Sequence, residues 1–402
     1  MYRVLYICPF SHYSGHQPHA ATVELVALSQ ADVDVTLLTF CGITNNPKIS
    51  VQHMTTVHDN RVLRLLRKYT ITRWFLMTAE MMLTLHKAIR LRHKYDVFHL
   101  RDGEPFLFAA PLLSLFHKRL RWVVSLTASV LVVPKSRTLS FRGLYTLVMD
   151  VLINNPLWRY VYAASMKRNR FIFTPQNELT KHGYENYMGN VFGGHLVCVP
   201  WGISKNHSRL LTKEEARKLL NLPQDKFILL SFGATHPGKD LRVVMKALTS
   251  LDVTLVHAGT WSFSLGGDVQ KLAEEYDVED RVRTFNYYVP EEEKPLFFYA
   301  ADAVILSYTK EFISTSSMVF EAAKYNLPVI SSDANTLGRD VAAYKLGLLF
   351  EAEDVDSLVN AITKFRGADV EEFKKNCERF LDAFSDVRWA ERYKNIYTEL
   401  TK

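Results

Sequence analysis

In the stretch TSSMVFEAAKY, Ser316 and Ser317 stand at the expected start of a helix, and Glu321 follows one turn later. A helix start carries unsatisfied backbone N–H groups and a partial positive charge, which together make an anion site. Ser317 and Glu321 share a helix face, so the carboxylate would reach sugar hydroxyls on a ligand whose phosphates rest on the helix end. An ordinary serine cap with a solvent-facing glutamate is the plain alternative. A second group lies in SFGATHPGKDLRVVMKAL, where a strand-to-helix loop ends in Lys239 and Asp240 caps the next helix. A lysine there neutralises a diphosphate as a point charge. His236 on the same loop supplies a second donor, while Gly233 and Gly238 let the backbone approach a ligand closely. The third group is SHYSGHQPHAATVELV, with Gly15 in the first strand-to-helix loop, the usual place for phosphate approach in such folds. The GxGxxG fingerprint is absent, so a nicotinamide dinucleotide is not expected. His12, His16 and His19 lie close together but lack a cysteine or acidic residue at ligand spacing. No metal is expected there, and a hydrogen-bonding histidine is the better reading.

These loops need elements to hold them. The chain alternates short β-branched runs with longer helical patterns, the signature of parallel sheets wrapped by helices. RVLYICPF, DVTLLTF, VFHL, WVVSLTA and RFIFTP read as strands of the first half. KFILLSFG, VTLVHAG, RVRTFNYY, AVILSY and PVISSD read as strands of the second, with helices such as LRVVMKALTS and SMVFEAAKY between them. Two doubly wound α/β domains in tandem are the economical interpretation, with a boundary near GHLVCVPWGIS. Ligands of such sheets bind at the carboxyl ends of the strands, so the chemistry is expected in loops lining a cleft between the domains.

A length of 402 residues favours two cores over one, and 48% hydrophobic with 23% charged residues argues against disorder. No signal peptide or membrane-spanning segment is read from the sequence, and four scattered cysteines suggest buried thiols in a reduced compartment. Of the net charge of +7, residues 1–200 contribute +12 (23 Lys and Arg against 11 Asp and Glu) and the remainder −5 (26 against 31). The basic residues cluster in RVLRLLRKYTITRW, KAIRLRHK and HKRLRW, interleaved with bulky apolar residues. That pattern suits an anionic membrane surface. A merely solvated basic face is the alternative. Nucleic acid is not expected, because no recognition module accompanies the charge.

FGATHPGKDL, TFNYYVPEEE, AADAVILSY, TSSMVFEAAKYNLPVISSD and LGLLFEAEDVDSLVNAI come in the order and spacing of family 4 glycosyltransferases. From about Val197 onward the chain resembles that family, the glycosyl transferases group 1, and FSDVRWAERYKNIYTEL looks like its closing helix. SGHQPHAATVELVALSQADVDVTLLT and YDVFHLRD look like its opening strand pairs. The resemblance implies the GT-B fold: a Rossmann-like acceptor-side domain over 1–195, a nucleotide-sugar-binding domain over 196–382, and a C-terminal helix over 383–402 that crosses back to the first domain. It implies a cytoplasmic enzyme of polysaccharide biosynthesis, peripheral on the inner face of the membrane. That enzyme would move a sugar from a nucleoside-diphosphate sugar to a glycan or lipid-linked acceptor, with retention and no metal. The leaving phosphate would help to deprotonate the acceptor in a front-face displacement.

Carried over by position, Lys239 is the phosphate lysine, Glu321 the ribose glutamate, and Ser316 and Ser317 the phosphate-binding helix start. His236 replaces the partner arginine, and with Lys239 and Glu321 makes the expected catalytic set. Asn286, Tyr287 and Tyr288 border the nucleobase, Gly15 and Gly233 lie by the donor, and His16, Arg101 and Thr127 face the acceptor. Thr127 and Ile313 stand where the family has a histidine and an acidic residue, and Trp201-Gly202 where it has His-Gly. These departures leave a second reading, a non-catalytic nucleotide-sugar-binding or partner subunit.

Overall fold

The computed structural model describes residues 2–8, 17–39, 49–54, 70–101, 117–126, 155–188, 195–204, 211–235, 238–261, 268–312 and 316–402, less the side chains of 17–20, 70–78 and 158–159. Two compact units result, Met1–Ser204 with Phe384–Lys402, and Lys205–Ala383. The division falls after Ser204, at the end of GHLVCVPWGIS, and the segment from Leu196 to Ser204 stays with the first unit. Leu196 bridges to Phe173 and Ile203 bridges to Ser385.

The first unit holds a parallel sheet in the order β3-β2-β1-β4-β5-β6. Its strands are β1 (Arg3–Cys8), β2 (Asp34–Thr39), β3 (Ser50–His53), β4 (Val97–Leu100), β5 (Arg121–Leu126) and β6 (Arg170–Pro175). Strands covered on both faces read as unbroken apolar runs. In β1, Leu5 and Ile7 face one core with Leu85 and Trp122, while Val4 and Tyr6 face the other. The second core is closed by the C-terminal helix Asp386–Thr401, which buries Trp389, Tyr393, Ile396, Tyr397 and Leu400 at helical spacing. Gly202 lets that helix approach: a β-carbon there would lie 2.6 Å from Trp389 Cβ.

The second unit repeats the architecture in the order β12-β11-β10-β7-β8-β9. The strands are β7 (Phe227–Phe232), β8 (Val253–Ala258), β9 (Val282–Phe285), β10 (Ala303–Leu306), β11 (Val329–Ser332) and β12 (Gly347–Phe350). The α/β fold and the returning C-terminal helix are as expected. β3 and β12 are additional to the strands read from sequence, and both are short, partly exposed edge strands. β3 (SVQH) carries no continuous apolar run to read, whereas β12 (GLLF) is apolar but only four residues long. Of the basic segments, KAIRLRHK ends the helix Thr70–Arg90 and HKRLRW leads into β5. RVLRLLRKY lies outside the described residues. Among the described residues, no helix is long and apolar enough to cross a membrane.

Candidate functional site

Each sheet reverses its winding at one place, between β1 and β4 in the first unit and between β7 and β10 in the second. Ligands of open parallel sheets lie at such switch points, beyond the carboxyl ends of the strands. In the second unit the loop after β7 carries Lys239 and the segment after β10 leads to Ser316. The topology therefore puts side by side two stretches that are about 80 residues apart in the chain.

Locally, the β7 loop is a tight turn. Gly233 takes φ +87° and Gly259, at the end of β8, takes φ +148°. A β-carbon on Gly259 would lie 2.4 Å from the Gly233 carbonyl oxygen, so these loop bases meet backbone to backbone. Gly233 N donates to Ala258 O at 2.8 Å and Thr235 N to Thr260 O at 3.0 Å. Asn286 Oδ1, after β9, accepts from Trp261 N at 3.1 Å and ties in the next loop. Lys239 is half-buried, and its ammonium folds back to donate to Phe232 O at 2.8 Å. Its Nζ lies 3.5 Å from where a Gly233 side chain would begin. Burial pulls the Lys239 pKa down to about 8. Asp240 caps the helix Leu241–Leu248, as its position suggested, accepting from Arg242 N and Val243 N.

On the other side of the switch point, Ser316 caps the helix Ser317–Lys324 by accepting from Met318 N at 3.3 Å. It is buried, and its Oγ also meets Tyr308 Oη at 3.1 Å, so the hydroxyl has partners within the unit. Glu321 is largely buried. Its Oε1 is held by Lys294 at 3.6 Å and Lys324 at 3.5 Å. Its Oε2 is buried and finds no hydrogen-bond partner among the described residues. Lys294, itself buried, also pairs with Glu291 at 2.6 Å. Tyr287 donates to Glu293 at 2.7 Å; burial, aided by that carboxylate, pushes the phenol up to about 12. Tyr288 is 60% exposed, leaving its ring face open to stacking.

Sequence reasoning missed Lys294, Tyr308, Thr235 and His257. His257 on β8 is fully buried beside Ser231, with Nδ1 3.0 Å from that hydroxyl. Burial, helped by the Lys239 charge, pushes its pKa down to about 3. Its Nε2 and the buried Thr235 Oγ1 find no partner among the described residues. The only advance signal was a histidine inside an otherwise apolar strand.

At the first switch point, Arg101 follows β4 and its amide donates to Ile7 O at 3.0 Å. Its buried guanidinium pairs with Glu24 through Nε at 3.0 Å and Nη2 at 3.3 Å. Tyr6 Oη donates to the same carboxylate. Gly15, His16, Thr127, His236 and Ile313 lie outside the described residues.

Comparison with known proteins agrees with this fold. Sucrose-phosphate synthase from Thermosynechococcus elongatus superposes with a TM-score of 0.73 at 16% identity, covering 100% of this chain and 99% of that one. WaaG, a glycosyltransferase involved in lipopolysaccharide biosynthesis, gives 0.64 at 14% identity, covering 98% and 99%. HepE of Anabaena, in complex with UDP-glucose, gives 0.65 at 14%, covering 99% and 100%. No curated protein matches the chain. The chain has the GT-B fold, with two Rossmann-like units. Residues 212–379, most of the second unit, match the model of the glycosyl transferases group 1.

Proposed function

We propose that the second unit binds a nucleoside-diphosphate sugar, with the diphosphate between Lys239 and the Ser316–Ser317 helix start and a ribose hydroxyl on Glu321. The observation that carries the reading is the Glu321 carboxylate. One oxygen is held by two ammonium groups, while the other is buried without a partner and suited to accept from a ligand O–H. Tyr287 and Tyr288 then border the nucleobase, with Gly233 beside the phosphates. HepE, of the same fold, is seen with UDP and UDP-glucose, which makes uridine nucleotides the first probes.

In the reaction the bond from the anomeric carbon to the phosphate oxygen breaks, and a bond to the acceptor oxygen forms on the same face. The acceptor proton passes to the departing diphosphate. Lys239 and the helix start stabilise the charge that develops on that leaving group, and preorganised charge of this kind is usually the chief source of rate in such sites. No resident metal is called on. The acceptor is a glycan or a lipid-linked sugar, taken by the first unit. The exposed Arg90, Lys94, Lys118 and Arg119 of that unit suit an anionic bilayer surface. Co-sedimentation with anionic vesicles that fades with salt is expected, and its absence would remove the membrane as a partner.

A thermal-shift screen with UDP-, GDP-, ADP- and TDP-sugars tests the donor site, because binding to the native state raises the melting temperature. One nucleotide class should stabilise the protein. Glu321→Gln should weaken that ligand about tenfold, as expected for a hydrogen bond to a charged group, and affect folding less. No stabilisation by any of the four would sink the reading.

A further inference from the structure

We propose that Tyr308 is a positioning residue for the phosphate site: it holds the Lys239 loop and the Ser316 cap in one frame and turns the Ser316 O–H toward the bound anion. This rests on the donor reading above. The backbone around Tyr308 is the partner of the Lys239 loop. Asp240 N donates to Ser307 O at 2.6 Å, Thr309 N donates to Gly238 O at 3.0 Å, and Lys239 and Tyr308 form an antiparallel bridge between them. Tyr308 is itself fixed from two further directions. Its amide donates to Ser332 Oγ at 3.1 Å, and its ring stacks on Phe312 with centroids 4.0 Å apart. With backbone and ring held, its hydroxyl comes to lie 3.1 Å from Ser316 Oγ.

The direction of that hydrogen bond is the functional point. Ser316 Oγ already accepts the Met318 N–H. Tyr308 is buried, and burial raises its phenol despite the opposing hydrogen bond to Ser316, so it keeps its proton at neutral pH and is able to donate. When Tyr308 donates, both lone pairs of Ser316 Oγ are occupied and one hydrogen remains. The serine is then a donor only, suited to a phosphate oxygen and unable to serve as a cap that turns its proton inward. The same tyrosine sets the separation between this donor and the Lys239 ammonium, since its backbone belongs to one and its hydroxyl to the other. A misplacement of about 1 Å in such a pair costs about a hundredfold in rate.

The test is a double-mutant cycle on the full chain with Tyr308→Phe and Ser316→Ala. The probe is whichever of UDP, GDP, ADP or TDP most stabilises the wild type, compared with its monophosphate by calorimetry well below every melting temperature. Tyr308→Phe should weaken the diphosphate about tenfold, the contribution of one hydrogen bond to a charged group, and leave the monophosphate within twofold. Ser316→Ala should do the same, and the double variant should lose no more than either single one. Equal weakening of mono- and diphosphate, or losses that multiply in the double variant, would overturn the proposal. So would a lowered melting temperature with an unchanged diphosphate-to-monophosphate affinity ratio. Lys239→Ala and Glu321→Gln separate the two levels: if they weaken the probe and Tyr308→Phe does not, this inference fails alone. If neither does, the donor reading fails with it.

Discussion

The two sheets bury polar groups near their carboxyl edges and satisfy them in opposite ways. Among the described residues of the first unit the set is closed. His99 on β4 bonds Tyr397 Oη at 2.6 Å and Ser125 Oγ at 2.8 Å, and Ser125 and Thr174 each meet Tyr393 Oη at 2.9 Å. Arg101, Glu24 and Tyr6 complete it. The C-terminal helix thus returns with two tyrosines that satisfy three adjacent strands. In the second unit, Glu321 Oε2, His257 Nε2 and Thr235 Oγ1 are buried without partners among the described residues. A buried polar atom left unpaired costs about 1–3 kcal/mol, so the donor proposed above would lower that cost at the second edge. Under the proposed function, one edge is a latch and the other a receptor.

The strongest way to break this contrast is Lys239→Ala. If the open edge does the chemistry, kcat should fall about 10²–10³-fold, the loss measured when one preorganised donor is removed from a developing charge. Wild-type turnover in a donor-hydrolysis or transfer assay would remove Lys239 from the mechanism.

The next test treats both edges alike. His99 and His257 are fully buried, and burial holds each at about 3 when folded against 6.5 as the ordinary value. The Arg101 charge adds to the shift at His99 and the Lys239 charge at His257. The unfolded chain therefore binds more protons between those values, and stability falls as pH drops through that window. The slope is about 1.4 kcal/mol per pH unit for each histidine. Denaturant midpoints at pH 7 and pH 5 should show it, and equal midpoints would mean the imidazoles are solvated.

Gly202→Ala separates the edges. The added methyl meets Trp389 at a distance no neighbour can accommodate, so a loss of about 1–3 kcal/mol is expected from overpacking. Nucleotide affinity should not change, and a parallel loss of both would show that the latch and the receptor are coupled.

The smallest effect is an alkaline limb. Lys239, at about 8, is charged below that pH and neutral above it. Activity under subsaturating donor should thus fall tenfold per unit as pH rises beyond about 8. Lys239→Arg, which stays charged, should remove the limb. A profile flat to pH 10 in the wild type would place the ammonium outside the site.

Much of this was legible beforehand because its causes are local. Strands buried on both faces are largely apolar, so β1, β7, β8 and β10 announce themselves, whereas the polar, partly exposed β3 is silent. Asp240 and Ser316 could be read as caps because capping is a contact between near neighbours in the chain. The Arg101–Glu24 pair could not be read in advance, because the two residues lie far apart in the chain. A histidine in an apolar strand and a tyrosine at a strand end look alike whether or not they matter.

By itself the sequence determined the two α/β units, the loops that carry Lys239 and Ser316, and the helix that carries Glu321. Those features follow from hydrophobic periodicity and from capping between near neighbours. Only the tertiary structure decided that β10 lies beside β7, which makes Tyr308 the link between the two loops, and that Tyr393 and Tyr397 seal the first edge while the second keeps unpaired atoms. The reason is strand order: which edges meet is fixed by packing across the whole unit, and no local pattern encodes it.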